Sequence, residues 1–280
     1  MTVRMPKEAG RFYPANKEDA LLELEQYFNI ARDKVSDKRE NILGLILPHA
    51  GWVFSGIVTA AGVYRLDPQR EYKNIFLLGA SHRFRLSYPS VWTGGNFKTP
   101  LGEVKISDKV KNLTDSKIFV EDLKPHIEEH SLEVIIPFLQ YHLKKEFFIV
   151  PVLFDAADYE TPFKAAVELS SFVGKDDLVI VSSDFSHYPS YKDAIKTDKK
   201  TLDLILEGDS YKLIEEIEKM LSDTPGLDTC ACGLAAILCL VEFAKKKNAK
   251  VNGVLYMNSG DSGISGKNSV VGYHAIEFKI

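Results

Sequence analysis

Cysteine is scarce in this sequence, long apolar runs are missing, and there is no excess of basic charge. Three cysteines occur in 280 residues: Cys230, Cys232 and Cys239. An odd number confined to one short stretch does not form a disulfide framework and suits a reducing compartment. No uninterrupted apolar run approaches the roughly 20 residues of a membrane span. The first ten residues are charged and mixed, without the apolar core of a secretory signal, so the cytoplasm is the expected compartment. Lys and Arg number 35 against 39 Asp and Glu, a net charge of −4. The basic domain or stripe of a nucleic-acid binder is therefore not expected. No phosphate-binding P-loop and no dinucleotide fingerprint occurs.

What is present is an ordinary globular balance, 45% hydrophobic and 26% charged. There is no repeat, no low-complexity tract and no linker of the Pro/Gly/Ser kind, so residues 1–280 read as one domain. Short apolar runs alternate with amphipathic stretches. Strands are expected at 41–47, 74–78, 147–154, 177–182, 251–257 and 269–278. Helices are expected at 56–66, 131–145, 162–173 and 233–247, with two more between 192 and 221. A Gly-rich loop, 258–268, joins the last two strands. Such alternation predicts an α/β fold with a central, mostly parallel or mixed sheet and helices on both faces. In that architecture ligands bind beyond the carboxyl ends of the strands.

Three of the seven histidines stand at those ends. His49 follows the 41–47 run, His82 follows 74–78, and His187 follows 177–182, with Asp184 three residues before it. Parallel strands would bring all three imidazoles into one crevice. Imidazole is the commonest metal ligand and the side chain best suited to proton transfer near neutral pH. A histidine at a strand end can merely cap a turn, but three in equivalent positions point to a shared site. Cys230 and Cys232 precede a long apolar helix, where the dipole favours a thiolate. Cys239, inside that helix, reads as a core residue.

Other motifs point elsewhere and fail on context. His126-Ile127-Glu128-Glu129-His130 has the spacing of inverted zinc peptidases, but that chemistry needs both histidines on one helix, and Ser131 reads as the cap of a helix that starts later. Gly260-Asp261-Ser262-Gly263 resembles a trypsin-like motif in a chain whose pattern is not all-β; it reads instead as part of a flexible loop over the site. Gly79-Ala80-Ser81-His82-Arg83 lacks the closing glycine of a nucleophile elbow.

Seven short motifs in order resemble the Memo family, also called AmmeMemoRadiSam system protein B. They are Ala9-Gly10-Arg11-Phe12-Tyr13-Pro14, Pro48-His49-Ala50-Gly51-Trp52, Gly79-Ala80-Ser81-His82, Glu129-His130-Ser131-Leu132-Glu133, Ser182-Ser183-Asp184-Phe185-Ser186-His187, Cys232-Gly233 and Val271-Gly272-Tyr273. The resemblance covers essentially the whole chain. It implies a fold similar to class III extradiol dioxygenases, which hold non-haem iron with two histidines and a glutamate. His49 and His82 match the histidine ligands, and His187 matches the acid–base histidine, with Asp184 orienting it or joining the coordination. Cys232 stands where the dioxygenases have the glutamate. A thiolate there shifts preference toward softer metals such as copper(I) or zinc, so ring cleavage does not carry over. His130 is expected in the pocket wall.

The resemblance thus implies a metal-binding oxidoreductase holding iron or copper, with zinc as a further candidate, and acting on a small-molecule substrate. It equally implies an alternative, because the family includes a phosphotyrosine-peptide adaptor. In that reading the same pocket binds a phosphopeptide, with Arg83 and Arg85 as the basic lining. The family name also implies a functional link to a radical-SAM protein.

Overall fold

A computed structural model describes residues 3–36, 41–155 and 159–280. In chain order its elements are α1 (Lys17–Lys34), β1 (Ile42–Leu47), α2 (Trp52–Tyr64), β2 (Asn74–Ala80), β3 (Ser90–Val91), β4 (Phe97–Thr99), β5 (Gly102–Val104) and α3 (Lys109–Thr114). There follow β6 (Val120–Glu121), α4 (Lys124–Glu128), α5 (Ile136–His142), β7 (Phe148–Phe154), α6 (Thr161–Phe172) and β8 (Asp177–Ser182). The chain closes with α7 (Tyr191–Glu207), α8 (Ser210–Asp223), α9 (Leu234–Lys246), β9 (Lys250–Asn258) and β10 (Gly272–Lys279).

Eight strands form one mixed sheet in the order β6-β3-β7-β2-β8-β1-β10-β9. The central four, β7, β2, β8 and β1, are mutually parallel. β10 runs antiparallel to β1, and β9 antiparallel to β10. β1, β2 and β8 are buried at every position, as expected of strands covered on both faces. Successive side chains alternate between the two layers. Leu43, Ile46, Phe76, Leu78, Val179 and Val181 pack with the α6 and α9 side. Ile42, Leu45, Ile75, Leu77, Leu178 and Ile180 pack with α1, α2 and α5. No helix of the described residues is long and apolar enough to cross a membrane.

Several short elements between β2 and α5 were not expected from the sequence, and two longer ones differ from it. Helix α1 was not expected, although its buried residues Ala20, Leu24, Phe28 and Ala31 keep helical spacing and Asn16 caps it by accepting from the Asp19 N–H at 2.8 Å. The helix expected at 131–145 is confined to Ile136–His142. Ser131 does not cap it: its hydroxyl donates to the Ala80 carbonyl at 3.0 Å and its N–H to Glu129 at 3.0 Å. That side chain is committed to the end of β2, and the residues after it make turns.

Two histidines away from the strand ends serve the core. His126 Nε2 lies 3.1 Å from the Ser90 carbonyl, and burial lowers its pKa to about 3. His274 Nδ1 lies 3.1 Å from the Ala275 carbonyl, and burial lowers its pKa to about 4. The unfolded chain titrates near the ordinary value of about 6.5. As pH falls below that, the unfolded state takes up protons that the folded state refuses, so the stability these neutral rings contribute is complete above about 6.5 and is lost toward pH 4. His126→Gln is expected to flatten the slope of unfolding free energy against pH in this window by up to about 1.4 kcal/mol per pH unit. Urea denaturation at intervals between pH 4 and 7 checks this; an unchanged slope would contradict it.

Candidate metal centre

The register of the parallel strands fixes the site. Leu47 pairs with Ser182, and Ser182 pairs with Gly79, so β1, β8 and β2 end level with one another. His49, Asp184 and His82 therefore emerge on the same edge, two or three residues beyond that line. Two of the three histidines expected at one edge, His49 and His82, thus leave the sheet side by side.

His49 is buried. Its Nδ1 lies 2.8 Å from Ser182 Oγ, and the Ser182 hydroxyl donates in turn to the Ser131 carbonyl. The Asp184 carboxylate accepts from the N–H groups of His49 at 2.8 Å and Ala50 at 3.2 Å. Asp184 thus clamps the backbone that carries His49. His82 Nδ1 lies 2.9 Å from Glu129 Oε1, and its N–H donates to Glu129 Oε2 at 2.6 Å. His82 keeps 28% of its side chain exposed, which leaves the site open on that side.

His130 contributes more than a wall. Its Nδ1 lies 3.2 Å from Glu129 Oε1, and its ring centroid is 5.4 Å from that of His49 and 5.0 Å from that of His82. His49, His82 and His130 each offer one ring nitrogen within 4.8 Å of the other two, a group able to hold a metal ion. The signal available in the sequence was the pair Glu129-His130. The helix that carries His126 ends at Glu128, and His126 bonds into the core. The peptidase-like spacing therefore has no peptidase geometry.

Cys232 comes up beside His49 from the other layer. Its sulfur is 3.3 Å from His49 Nε2. The Cys232 N–H donates to the Asp184 carbonyl at 3.2 Å, and the Gly233 N–H to Ser183 Oγ at 2.9 Å. A Cβ at position 233 would lie 2.8 Å from the Ser182 carbonyl oxygen and from Ser183 Cβ. Only glycine lets α9 approach β8 this closely. Cys230 and Cys239 are both fully buried.

His187 is held by its backbone, which bridges to Thr229 and to Val271. Its N–H donates to the Thr229 carbonyl at 3.0 Å. Its Nε2 is buried without a hydrogen-bond partner, although the Cys232 sulfur is near enough to act on its charge. The residues just after the Gly-rich loop lie beside it, since the Tyr188 N–H donates to the Val270 carbonyl at 2.7 Å. The loop's first turn is an ordered 3-10 helix, Ser259–Asp261, with reciprocal caps between Asn258 and Asp261.

The N-terminal motif closes one wall. Phe12 meets His130 edge-on at 5.0 Å. Glu133 anchors this segment: it pairs with Arg4 in the interior and accepts from the Glu8 N–H at 2.8 Å and from Tyr13 Oη at 2.8 Å.

Charge in the site is strongly coupled. Burial alone would raise the Cys232 thiol, but the His49 charge and contacts with His187, His49 and His82 outweigh it and hold its pKa well below the ordinary value. Burial pushes Cys230 up to about 12 and raises Cys239. Burial opposes charge on His82, yet the Cys232 sulfur and Glu129 drive its pKa up to about 10. The same opposition raises His49 and His187, with Cys232 and then Asp184 as the favourable charges. Glu129 is lowered despite burial, by its bonds to His130 and His82. The Cys232 sulfur and the surrounding imidazoles thus each favour the charged form of the other.

The Memo-like protein family model matches residues 4–277. The chain is 32% identical over 289 residues to a MEMO1 family protein of Sulfurisphaera tokodaii, with 99% of each chain covered. It is 32% identical over 290 residues to a MEMO1 family protein of Saccharolobus solfataricus, with 98% of this chain and 99% of that one covered. A match that spans every element from which the centre is built settles the relationship: the chain belongs to the Memo-like family.

Proposed function

We propose that the centre binds one transition-metal ion through His49, His82 and Cys232, with His130 as a further ligand, and serves a redox reaction on a small molecule. The observation that carries this reading is the partner that each ring meets at Nδ1. Glu129, held ionised, can only accept, so Nδ1 of His82 and of His130 each carries the proton. The Ser182 proton is directed at the Ser131 carbonyl, so Ser182 Oγ accepts from His49 Nδ1. All three rings are thereby left with Nε2 unprotonated and free to take a metal. Partners of this kind are what orient ligating histidines and raise their basicity.

Iron or copper bound there would supply one-electron chemistry, and zinc Lewis-acid chemistry. The chain's own part is clearer. Cys232 is the thiol held ready as thiolate. Asp184 fixes the His49 loop, and its charge supports His187. His187, with a buried nitrogen lacking a partner, is placed to take or give a proton beside the ion. The phosphopeptide reading has less support, because Arg85 pairs with Asp155 at 3.1 Å.

Protein purified without chelators is expected to hold close to one metal equivalent, and His49→Ala to abolish it, since the remaining donors cannot complete the shell. Unchanged metal content in His49→Ala, measured by elemental analysis, would contradict the assignment. In a metal titration Cys232→Ser is expected to lose affinity strongly, Cys230→Ser modestly at most, and Cys239→Ser not at all. Equal behaviour of the three would remove sulfur from the centre and favour the phosphopeptide adaptor.

The tautomer argument has its own check. Glu129→Gln and Ser182→Ala, which change the Nδ1 side of the rings and leave the proposed ligands in place, are each expected to weaken metal binding by about 10–100-fold. Wild-type affinity in both would refute it.

A further inference from the structure

We infer that Asp198 is the positioning residue for His187, and that position 272 is glycine to admit its carboxylate. This rests on His187 being the acid–base group of the centre. Asp198 lies on α7, outside every motif singled out in the sequence, and is completely buried. Its carboxylate accepts from the Ser186 N–H at 2.9 Å, from Ser186 Oγ at 3.0 Å and from Tyr256 Oη at 2.8 Å. These donors are neutral. A buried carboxylate met by neutral donors costs the fold free energy, which is reflected in a pKa raised by burial to about 6.

The position of that carboxylate explains the expense. Ser186 directly precedes His187 and is gripped on both sides: Asp198 holds its N–H and hydroxyl, while its carbonyl accepts from the Gly272 N–H at 2.8 Å. The Phe185 N–H donates to the Gly272 carbonyl at 2.8 Å. The backbone that aims His187 is thus fixed between α7 and the start of β10. A Cβ at position 272 would fall 1.9 Å from Asp198 Oδ2 and 2.6 Å from its Cγ. No side chain fits there while the carboxylate reaches Ser186. The Ser182–His187 and Val271–Tyr273 motifs therefore share one partner that belongs to neither. Immediately after His187, Tyr188 adopts φ +71°, a conformation unfavourable for a bulky residue. The tight path of this segment is accordingly imposed from outside it.

The test reads the His187 ring itself, by NMR of the full-length protein labelled at histidine, with His187→Gln to assign the signal and thermal melting on the same samples. Asp198→Asn keeps an acceptor for the Ser186 N–H and is expected to retain the wild-type His187 signal. Asp198→Ala is expected to displace it further than the signal of any other histidine. Gly272→Ala is expected to lower the melting temperature and displace His187 as well. The Asp198→Ala/Gly272→Ala double variant is expected to recover the melting temperature lost by Gly272→Ala without recovering the His187 signal, because the added methyl then has room but the clamp is gone. Should Asp198→Ala fail to fold, Gly272→Ala carries the same test, since it displaces the carboxylate without removing it. An undisturbed His187 signal in the folded Asp198→Ala or Gly272→Ala protein would overturn the proposal, as would a Gly272→Ala protein as stable as wild type. Metal content of the same samples reports on the centre separately: its absence from wild type would count against the metal reading and leave the His187 comparison intact.

Discussion

The centre depends on the carboxylate of Glu129. Burying it would be prohibitive without compensation, and four hydrogen bonds supply that, from the backbone of His82, His130 and Ser131 and from His82 Nδ1, with His130 Nδ1 3.2 Å away as a further contact. Because the carboxylate can only accept, it decides which nitrogen of each ring carries a proton. It also joins the end of β2 to the segment before α5, two parts of the chain 47 residues apart. One side chain thus neutralises its own burial cost and orients two of the three imidazoles able to hold a metal ion.

The rest of the arrangement follows from the sheet. Three parallel strands that end level deliver His49, His82 and Asp184 without any long loop having to be ordered. The fourth contribution, Cys232, comes from the start of α9 and requires the helix to touch β8, which is what Gly233 permits. The layers on either side, one built on α1, α2 and α5 and the other on α6, α8 and α9, hold the strands chiefly with apolar contacts. The polar chemistry is concentrated at the edge, where the backbone of the sheet runs out.

Much of this was legible in the residues. Uniformly apolar runs marked the buried strands, and the position of His49, His82 and His187 just after such runs placed them at one edge. The sequence could not single out His130 as a potential ligand, because its spacing from His126 offered a false helical partner. It could not identify Glu129 or Asp198 as organising groups either: a carboxylate's role lies in donors 47 residues away for Glu129 and 12 residues away for Asp198, and periodicity carries no trace of them. Ser131 misled for a related reason, since a serine before an apolar run reads as a cap until its hydroxyl is found on another strand. Helix α1 had the spacing of a helix but surrounded it with so many charged residues that the apolar face was easy to overlook.

The central claim is that imidazole nitrogens and the Cys232 sulfur converge on one ion. X-ray absorption spectroscopy of the zinc-loaded protein tests this most directly. The account predicts a single metal environment containing one sulfur at about 2.3 Å and two or three imidazole nitrogens at about 2.0–2.1 Å, with the sulfur contribution lost in Cys232→Ser. A metal surrounded only by oxygen, or a sulfur contribution that survives in Cys232→Ser, would contradict it.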